Sequence, residues 1–236
     1  MKHHSTWTVF EFTTPPFISY LTCVRSCMAT NNSVMMRKRY IGETANFSSV
    51  RWQYNEKLQV EWLIQQFNRW FAHHDTILVK GEHEPEYFAK TATEPAKIVF
   101  AHGFFASSLH EISHWCVAGK RRRQLHDFGY WYAPDGRSEQ QQQAFEQVEI
   151  KPQAIECLLT LMCGKRFRVS QDNLFADFDT SKSSFANDVE RQALHFWQTG
   201  EKLPSDAKLL LKHLQILRSL PLSAAEIAKN FYQSRL

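Results

Sequence analysis

The sequence predicts an α+β fold, in which a small mixed sheet is packed by helices and the C-terminus is helical. Two short apolar runs, residues 76–79 and 97–101, have the length and composition of strands. Apolar residues recur at helical spacing over residues 56–73. Three more helical patterns close the chain, near residues 186–198, 205–219 and 223–233, and prolines mark their boundaries.

The first part of the chain differs from the rest. Residues 1–52 mix short apolar bursts with polar stretches and show no strong period. We expect an N-terminal extension over residues 1–52, loosely packed or partly disordered. Residues 53–236 are expected to form a single α+β domain, since the length of 236 residues suffices for one substantial core plus an appendage.

Composition excludes some classes of protein. No stretch approaches the roughly 18 uninterrupted apolar residues of a membrane helix, and Glu11 interrupts any apolar region that could serve as a signal peptide. The five cysteines are an odd number without the spacing of a disulfide framework. Reduced thiols and a cytoplasmic location are therefore predicted. The net charge of +4 favours an acidic partner only mildly.

The middle of the chain is predicted to contain short strands, a helix and a turn. The strand over residues 97–101 leads into a helix that Ser107 or Ser108 is expected to cap and that Gly119 ends. Residues 127–132 are predicted to form a strand, and a turn follows at residues 134–137.

A polar helix is predicted to begin near Ser138 and to break or kink at Pro152. The apolar run 154–163 continues it as a helix capped by Gly164. Residues 167–169 are expected to add one more strand.

The helix after the second strand carries His110-Glu111-Ile112-Ser113-His114, an HExxH sequence. Residues four apart share a helix face, so both imidazoles can reach one metal ion. Glu111 is the candidate catalytic carboxylate beside them. The pattern is short and recurs by chance, and its alternative is two histidines on an ordinary amphipathic helix. The strand-to-helix context favours a metal site.

A metal ion held by two histidines needs a third protein ligand. Glu149 is the prediction, with Glu156 and Asp127 as alternates, because Glu149 and Glu156 share a face if their helix is continuous. A third histidine would favour a hydrolytic zinc or nickel-type site. A carboxylate suits Zn(II) hydrolysis or Fe(II) oxygen chemistry, and the residues alone leave these metals open.

Charged and polar residues near the motif are candidates for binding. An acidic run is predicted to face a cationic substrate group, and a basic run is predicted to dock an acidic partner; a solvated surface is the alternative for each. His102 and Tyr130 are candidates to line the pocket, against ordinary loop and strand packing. The acidic run is Glu82, Glu84 and Glu86, and the basic run is Lys120, Arg121, Arg122 and Arg123.

Five segments in order along the chain resemble the bacterial elongation factor P hydroxylase family. They are residues 98–104, 110–116, 127–132, 134–137 and 148–154. The resemblance covers roughly residues 55–230 and is far more specific than HExxH alone. It implies that the family's histidine pair corresponds to His110 and His114 and its carboxylate to Glu149, with no departure within these motifs.

The resemblance implies a metal-dependent hydroxylase domain over residues 53–236. Its family hydroxylates the lysine of elongation factor P after β-lysine has been attached, at a two-His-one-carboxylate site for non-haem Fe(II). The expected cofactor is thus Fe(II), with O2 as co-substrate and no nucleotide or flavin, although a crystal can hold another divalent metal. The expected fold is similar to that of a bacterial rRNA-maturation endoribonuclease.

The same resemblance gives the charged residues roles. Glu111 and the acidic run would pair with the ammonium groups of a β-lysylated lysine. The basic run would steer docking of the acidic factor. A monomer is expected, and neither a membrane nor nucleic acid is an expected partner.

Three other functions fit the residues. A zinc metallopeptidase would use Glu111 as general base. A metal-dependent ribonuclease would use the basic run, although aromatic residues do not clearly interleave with it. A metal-stabilised binding module would have no turnover. The residues without the resemblance indicate only a metalloenzyme of hydrolytic type.

Overall fold

A computed structural model describes residues 50–129, 136–218 and 220–234. Most of the predicted extension, Tyr130 and the start of the predicted turn lie outside the described residues. Ten helices and strands lie within them. In chain order these are α1 (Val50–Gln53), α2 (Glu56–Trp70), β1 (Thr76–Lys80), β2 (Glu86–Phe88), β3 (Ala96–Phe100), α3 (Phe105–Arg122), α4 (Glu139–Met162), α5 (Phe185–Thr199), α6 (Ser205–Leu217) and α7 (Ala224–Ser234).

The sheet is small and mixed, as predicted. Its strand order is β1-β3-β2, with β3 parallel to β1 and antiparallel to β2. Ile98 in the central strand lies opposite Leu78 on one side and Tyr87 on the other. All three side chains are buried, so the sheet turns one face toward the core. The helical C-terminus is also confirmed, by α5, α6 and α7.

Helix α2 packs along the sheet through its apolar face. Asn55 begins it, because its side chain accepts the amide hydrogen of Leu58 at 2.9 Å. Asn68 near its end accepts from the amide of Leu78 at 2.7 Å and donates to the same residue's carbonyl at 3.4 Å. One side chain thereby joins the helix to β1.

Helix α3 begins differently from the prediction. Neither serine caps it: Ser107 accepts the amide hydrogen of Ala101 at 2.9 Å, and Ser108 donates to the carbonyl of Phe105 at 2.6 Å. The first helical amide, on Phe105, instead donates to the carboxylate of Glu56 at 2.9 Å. Gly119 interrupts the helix as expected, with φ of 65° and ψ of 178°.

Helix α4 does not break at Pro152, which is a correction to the prediction. It runs unbroken through the proline and begins with a capping box formed by Ser138 and Gln141. A proline inside a helix costs about 3 kcal/mol or more. Every residue from 152 to 163 is buried, and this packing outweighs the lost hydrogen bond.

Two predicted strands are absent from the described residues. Residues 127–129 form a tight turn, with positive φ at Asp127, Phe128 and Gly129. The Phe128 ring stacks on Tyr87 at 4.1 Å between centroids, and this contact holds the turn against the sheet. The backbone at Phe167 pairs with the side chain of Asn230, which accepts at 3.1 Å and donates at 3.2 Å. No neighbouring strand is needed there.

Helix α4 lies at the centre of the helical layer, in contact with α3, α5, α6 and α7. None of the described helices is both long enough and apolar enough to cross a membrane. The packing of α3 on α4 positions the candidate site, because polar residues of both helices lie at their interface.

Candidate metal centre

The two histidines of the HExxH sequence converge on a carboxylate from the facing helix. The Nε2 atoms of His110 and His114, on α3, lie 3.0 Å apart. Glu149, on α4, places one carboxylate oxygen 3.1 Å from Nε2 of His114 and the other 3.8 Å from Nε2 of His110. One ligand atom from each residue lies within 4.8 Å of the other two. The continuous α4 brings Glu149 to this position.

Burial makes these groups interact strongly. Glu149 is only 2% exposed, and burial alone would raise the pKa of its carboxyl. His114 and His110, with a hydrogen bond from Gln153, more than reverse this effect and lower that pKa to about 2. Burial would likewise lower the pKa of His110, but Glu156, Glu111 and Glu149 raise it to about 10. Because metal ligands must be deprotonated, binding of a metal ion by His110 would release a proton.

Two side chains on α4 orient the histidine and carboxylate groups. Glu156 accepts from Nδ1 of His110 at 2.8 Å, so that the Nε2 edge of the ring faces the centre. Gln153 donates to Glu149 at 3.4 Å and to the carbonyl of Ser170 at 2.7 Å. Its oxygen accepts from the amide of Ser170 at 3.1 Å. The Glu149 carboxylate is thereby attached to the loop after α4.

Glu111 follows His110 on α3 and is half-buried beside the cluster. Burial raises the pKa of its carboxyl, against the lowering effect of His110 and His114. A carboxyl group in this position can accept or release a proton near the metal centre.

Sequence reasoning missed a larger pattern on α4. Five polar residues follow the spacing i, i+4, i+7, i+11 and i+14, which places them on one helix face. All five are buried, although such residues are mostly exposed in proteins. The signal in the sequence was that polar residues recur at helical spacing along α4, even where the residues around them are apolar. We call this set the α4 polar stripe; its members are Gln142, Glu146, Glu149, Gln153 and Glu156.

Asp127, an alternate third ligand, lies in a different cluster. It groups with Glu86 and His126, and all three side chains are about half exposed. Its Oδ1 accepts the amide hydrogen of Tyr87 at 2.9 Å. The structure brings Glu149 to the histidine pair in its place.

The other predicted binding residues lie at the surface or outside the described part. Glu82 and Glu84 are exposed in the loop before β2. His102 is exposed at the turn after β3, with φ of 50° and its ring 5.9 Å from that of Phe104. Tyr130 is not among the described residues.

The basic run divides into two pairs. Lys120 and Arg121 are exposed. Arg122 donates to the carbonyl of Phe128 at 3.0 Å. Arg123 stacks 3.3 Å from the Trp115 ring centroid and pairs with Asp206 at 2.7 Å. The last two arginines therefore stabilise the fold around the C-terminal end of α3.

Comparison with known proteins shows the family of this chain. A family model described as elongation factor P hydroxylase matches residues 66–226, which include both histidines and the α4 polar stripe. The chain is 46% identical over 158 residues to the elongation factor P lysine hydroxylase of Haemophilus influenzae. The match spans 66% of this chain and 87% of that relative. This chain belongs to the elongation factor P hydroxylase family.

Proposed function

We propose that this protein hydroxylates the β-lysylated lysine side chain of elongation factor P, using Fe(II) and O2 at the centre formed by His110, His114 and Glu149. The observation that carries the proposal is the convergence of two imidazoles and one carboxylate between α3 and α4. Family membership supports the reaction and the protein substrate.

The chemistry of the donor atoms fits the metal. Two neutral imidazoles and one carboxylate on one side of an ion are the set used by non-haem Fe(II) oxygenases, which leaves positions open for substrates. Zn(II) also accepts this set. Bound Fe(II) would supply the activation of O2 that insertion of oxygen into a C–H bond requires.

The surrounding residues would prepare the centre. Glu156 would keep His110 in the orientation that offers Nε2 to the metal, and Gln153 would hold Glu149 in place. Glu111 would orient the substrate amine or hold a proton beside the metal. Glu82, Glu84 and Glu86 would attract cationic groups. Of the basic run, exposed Lys120 and Arg121 would serve docking of an acidic factor.

The test is the intact mass of β-lysylated elongation factor P after anaerobic loading of the protein with Fe(II) and admission of O2. We expect a gain of one oxygen atom, lost in His110→Ala and in Glu149→Ala. If Glu149→Ala still adds the oxygen atom, the proposed reaction stands and the third metal ligand is a residue other than Glu149. No gain from metal-loaded wild-type protein would refute the proposal. Cleavage of peptides by zinc-loaded protein would then favour a metallopeptidase with Glu111 as base.

A further inference from the structure

A second polar site lies at the N-terminal half of α4 and includes Glu146, which is three residues before Glu149. A cleft of about 630 Å³ opens there between α4 and residues 178–188. Its walls carry the carboxylates of Glu139, Glu146, Asp179 and Asp188, with Lys182 as the one cation lining it among the described residues. We propose that this cleft binds an ammonium group of the substrate side chain, with Glu146 as the counter-ion. The proposal rests on the proposed function and adds a substrate subsite to it.

Glu146 differs from the other three acids of the cleft. It is 7% exposed. Its Oε1 accepts from Gln142 and from Gln171, each at 3.2 Å, and its Oε2 accepts from Ser183 at 2.5 Å. These donors are all neutral. They fix the direction of the carboxylate without neutralising its charge.

The other three acids lie nearer the surface, and two of them already have cationic partners. Asp179 lies 3.4 Å from Lys182, and Asp188 contacts Arg191. Among the described residues, no lysine, arginine or histidine forms an ion pair with Glu146. Opposite charges attract more strongly in a partly buried site than in bulk water, because the effective dielectric constant is lower. The cleft therefore offers an incoming ammonium group a fixed anionic partner.

The position of Glu146 matches a substrate that reaches the metal centre. Glu146 and Glu149 both belong to the α4 polar stripe and are three residues apart, which is about 4.5 Å along a helix axis. On this proposal, a lysine-type side chain would place a carbon at the candidate metal centre and an ammonium group in the cleft. The relative's name specifies lysine as the residue that it modifies.

The experiment compares substitutions in the cleft with one outside it. Glu146→Gln removes the charge, and Gln147→Lys puts a competing ammonium at the mouth of the cleft. Gln147 lines the cleft but is exposed, so this change leaves the hydrogen bonds of Glu146 in place. Gln198→Lys makes the same change in charge on an exposed part of α5 outside the cleft and is the matched control.

We expect KM for modified elongation factor P to rise roughly tenfold or more in both cleft variants, the size of one charge-assisted hydrogen bond. Fe(II) affinity should be unchanged, and Gln198→Lys should behave as wild type. Thermal unfolding checks that Glu146→Gln is folded; if it is not, Gln147→Lys decides. An unchanged KM in folded cleft variants would overturn the subsite.

A second measurement separates this proposal from the proposed function. Titration of the protein with 1,5-diaminopentane, followed by amide chemical shifts, needs no turnover. Shifts of cleft amides that weaken in Gln147→Lys but not in Gln198→Lys would support the subsite. They would do so even if wild-type protein failed to hydroxylate the factor. Equal shifts in all three proteins, or no shifts in the cleft of wild type, would overturn it.

Discussion

Two clusters in this protein are built from the same kinds of side chain but differ in their surroundings. The buried cluster, His110, His114 and Glu149, lies between two helices. The exposed cluster, Glu86, His126 and Asp127, lies at the edge strand β2 and the turn after α3. Each offers at least one imidazole and one carboxylate within a few ångströms.

The directions of the hydrogen bonds distinguish the clusters. In the exposed cluster, His126 donates from Nδ1 to the carbonyl of Tyr87 at 2.6 Å, while Asp127 accepts from the amide of the same residue. Two of the three side chains thus fasten the turn to β2. In the buried cluster the ligand atoms face one another, and Glu156 occupies the far edge of His110. Convergence and desolvation, more than residue type, therefore distinguish the candidate metal centre.

The largest expected contrast is in metal affinity when a histidine is removed. His114→Ala should weaken Fe(II) binding by more than about 100-fold, since orienting partners alone are worth about 10- to 100-fold. His126→Ala in the exposed cluster should leave the affinity unchanged. Anaerobic calorimetric titration measures both. Equal losses in the two variants would mean that the exposed cluster also holds metal.

The next contrast concerns the residues that orient the ligands. Glu156→Ala should weaken Fe(II) binding roughly 10- to 100-fold, because His110 loses the carboxylate that fixes its ring and raises its basicity. Glu86→Ala removes the carboxylate beside His126 and should have no effect on the same titration. An unchanged affinity in Glu156→Ala would show that packing alone orients His110.

The pH dependence of stability should also separate the clusters in metal-free protein. The lowered pKa of Glu149, about 2 against an ordinary 4.5, gives stabilisation that is complete above pH 4.5 and lost as pH falls toward 2. The raised pKa of His110, about 10 against 6.5, gives stabilisation that is complete below pH 6.5 and lost as pH rises toward 10. The buried cluster should therefore stabilise the fold most between pH 4.5 and 6.5.

Urea unfolding in the presence of a chelator measures this profile. Glu149→Gln should flatten its acid side. His126→Ala is the control and should keep both slopes, since it leaves the buried groups unchanged. A Glu149→Gln profile that fell with acid as steeply as wild type would assign the slope to other groups.

The smallest expected effect is the loss of the exposed contact between His126 and Glu86. His126→Ala should lower the free energy of unfolding by about 1 kcal/mol or less, because solvent screens the contact of His126 with Glu86. Urea denaturation compares it with wild type. A loss several times larger would mean that the hydrogen bond from His126 to Tyr87 is needed to keep the turn on the sheet.

The sequence predicted the elements that local pattern determines. Both apolar runs became β1 and β3, and the periodic segments became helices close to their predicted bounds. The prediction failed at Pro152, because local propensity does not include the burial that keeps α4 intact. It failed at residues 127–129, where a stacking partner on another strand stabilises three positive φ values. The expected similarity to an rRNA endoribonuclease fold stays a prediction.

In the candidate site too, local helical geometry could be predicted from the sequence, whereas contacts between distant residues could not. The spacing of His110 and His114 and the shared face of Glu149 and Glu156 could be read from helical geometry. The separate positions of the two glutamates could not. They lie seven residues, about two helical turns, apart on one face, and the packing of α4 on α3 decides which carboxylate meets Nε2 and which meets Nδ1. The partly buried position of Arg123 could not be predicted either, since its partner Asp206 lies far along the chain.

The α4 polar stripe has a consequence for how this protein can be changed. Replacing buried polar groups by well-packed apolar ones of similar size is often neutral or stabilising. Selection for stability alone would therefore replace polar residues on this face of α4 by apolar ones, and the candidate site would be lost. We expect thermostabilised variants to trade activity for stability here before anywhere else in the described core. Engineering should leave these positions fixed and seek gains on the outer faces of α5 and α6.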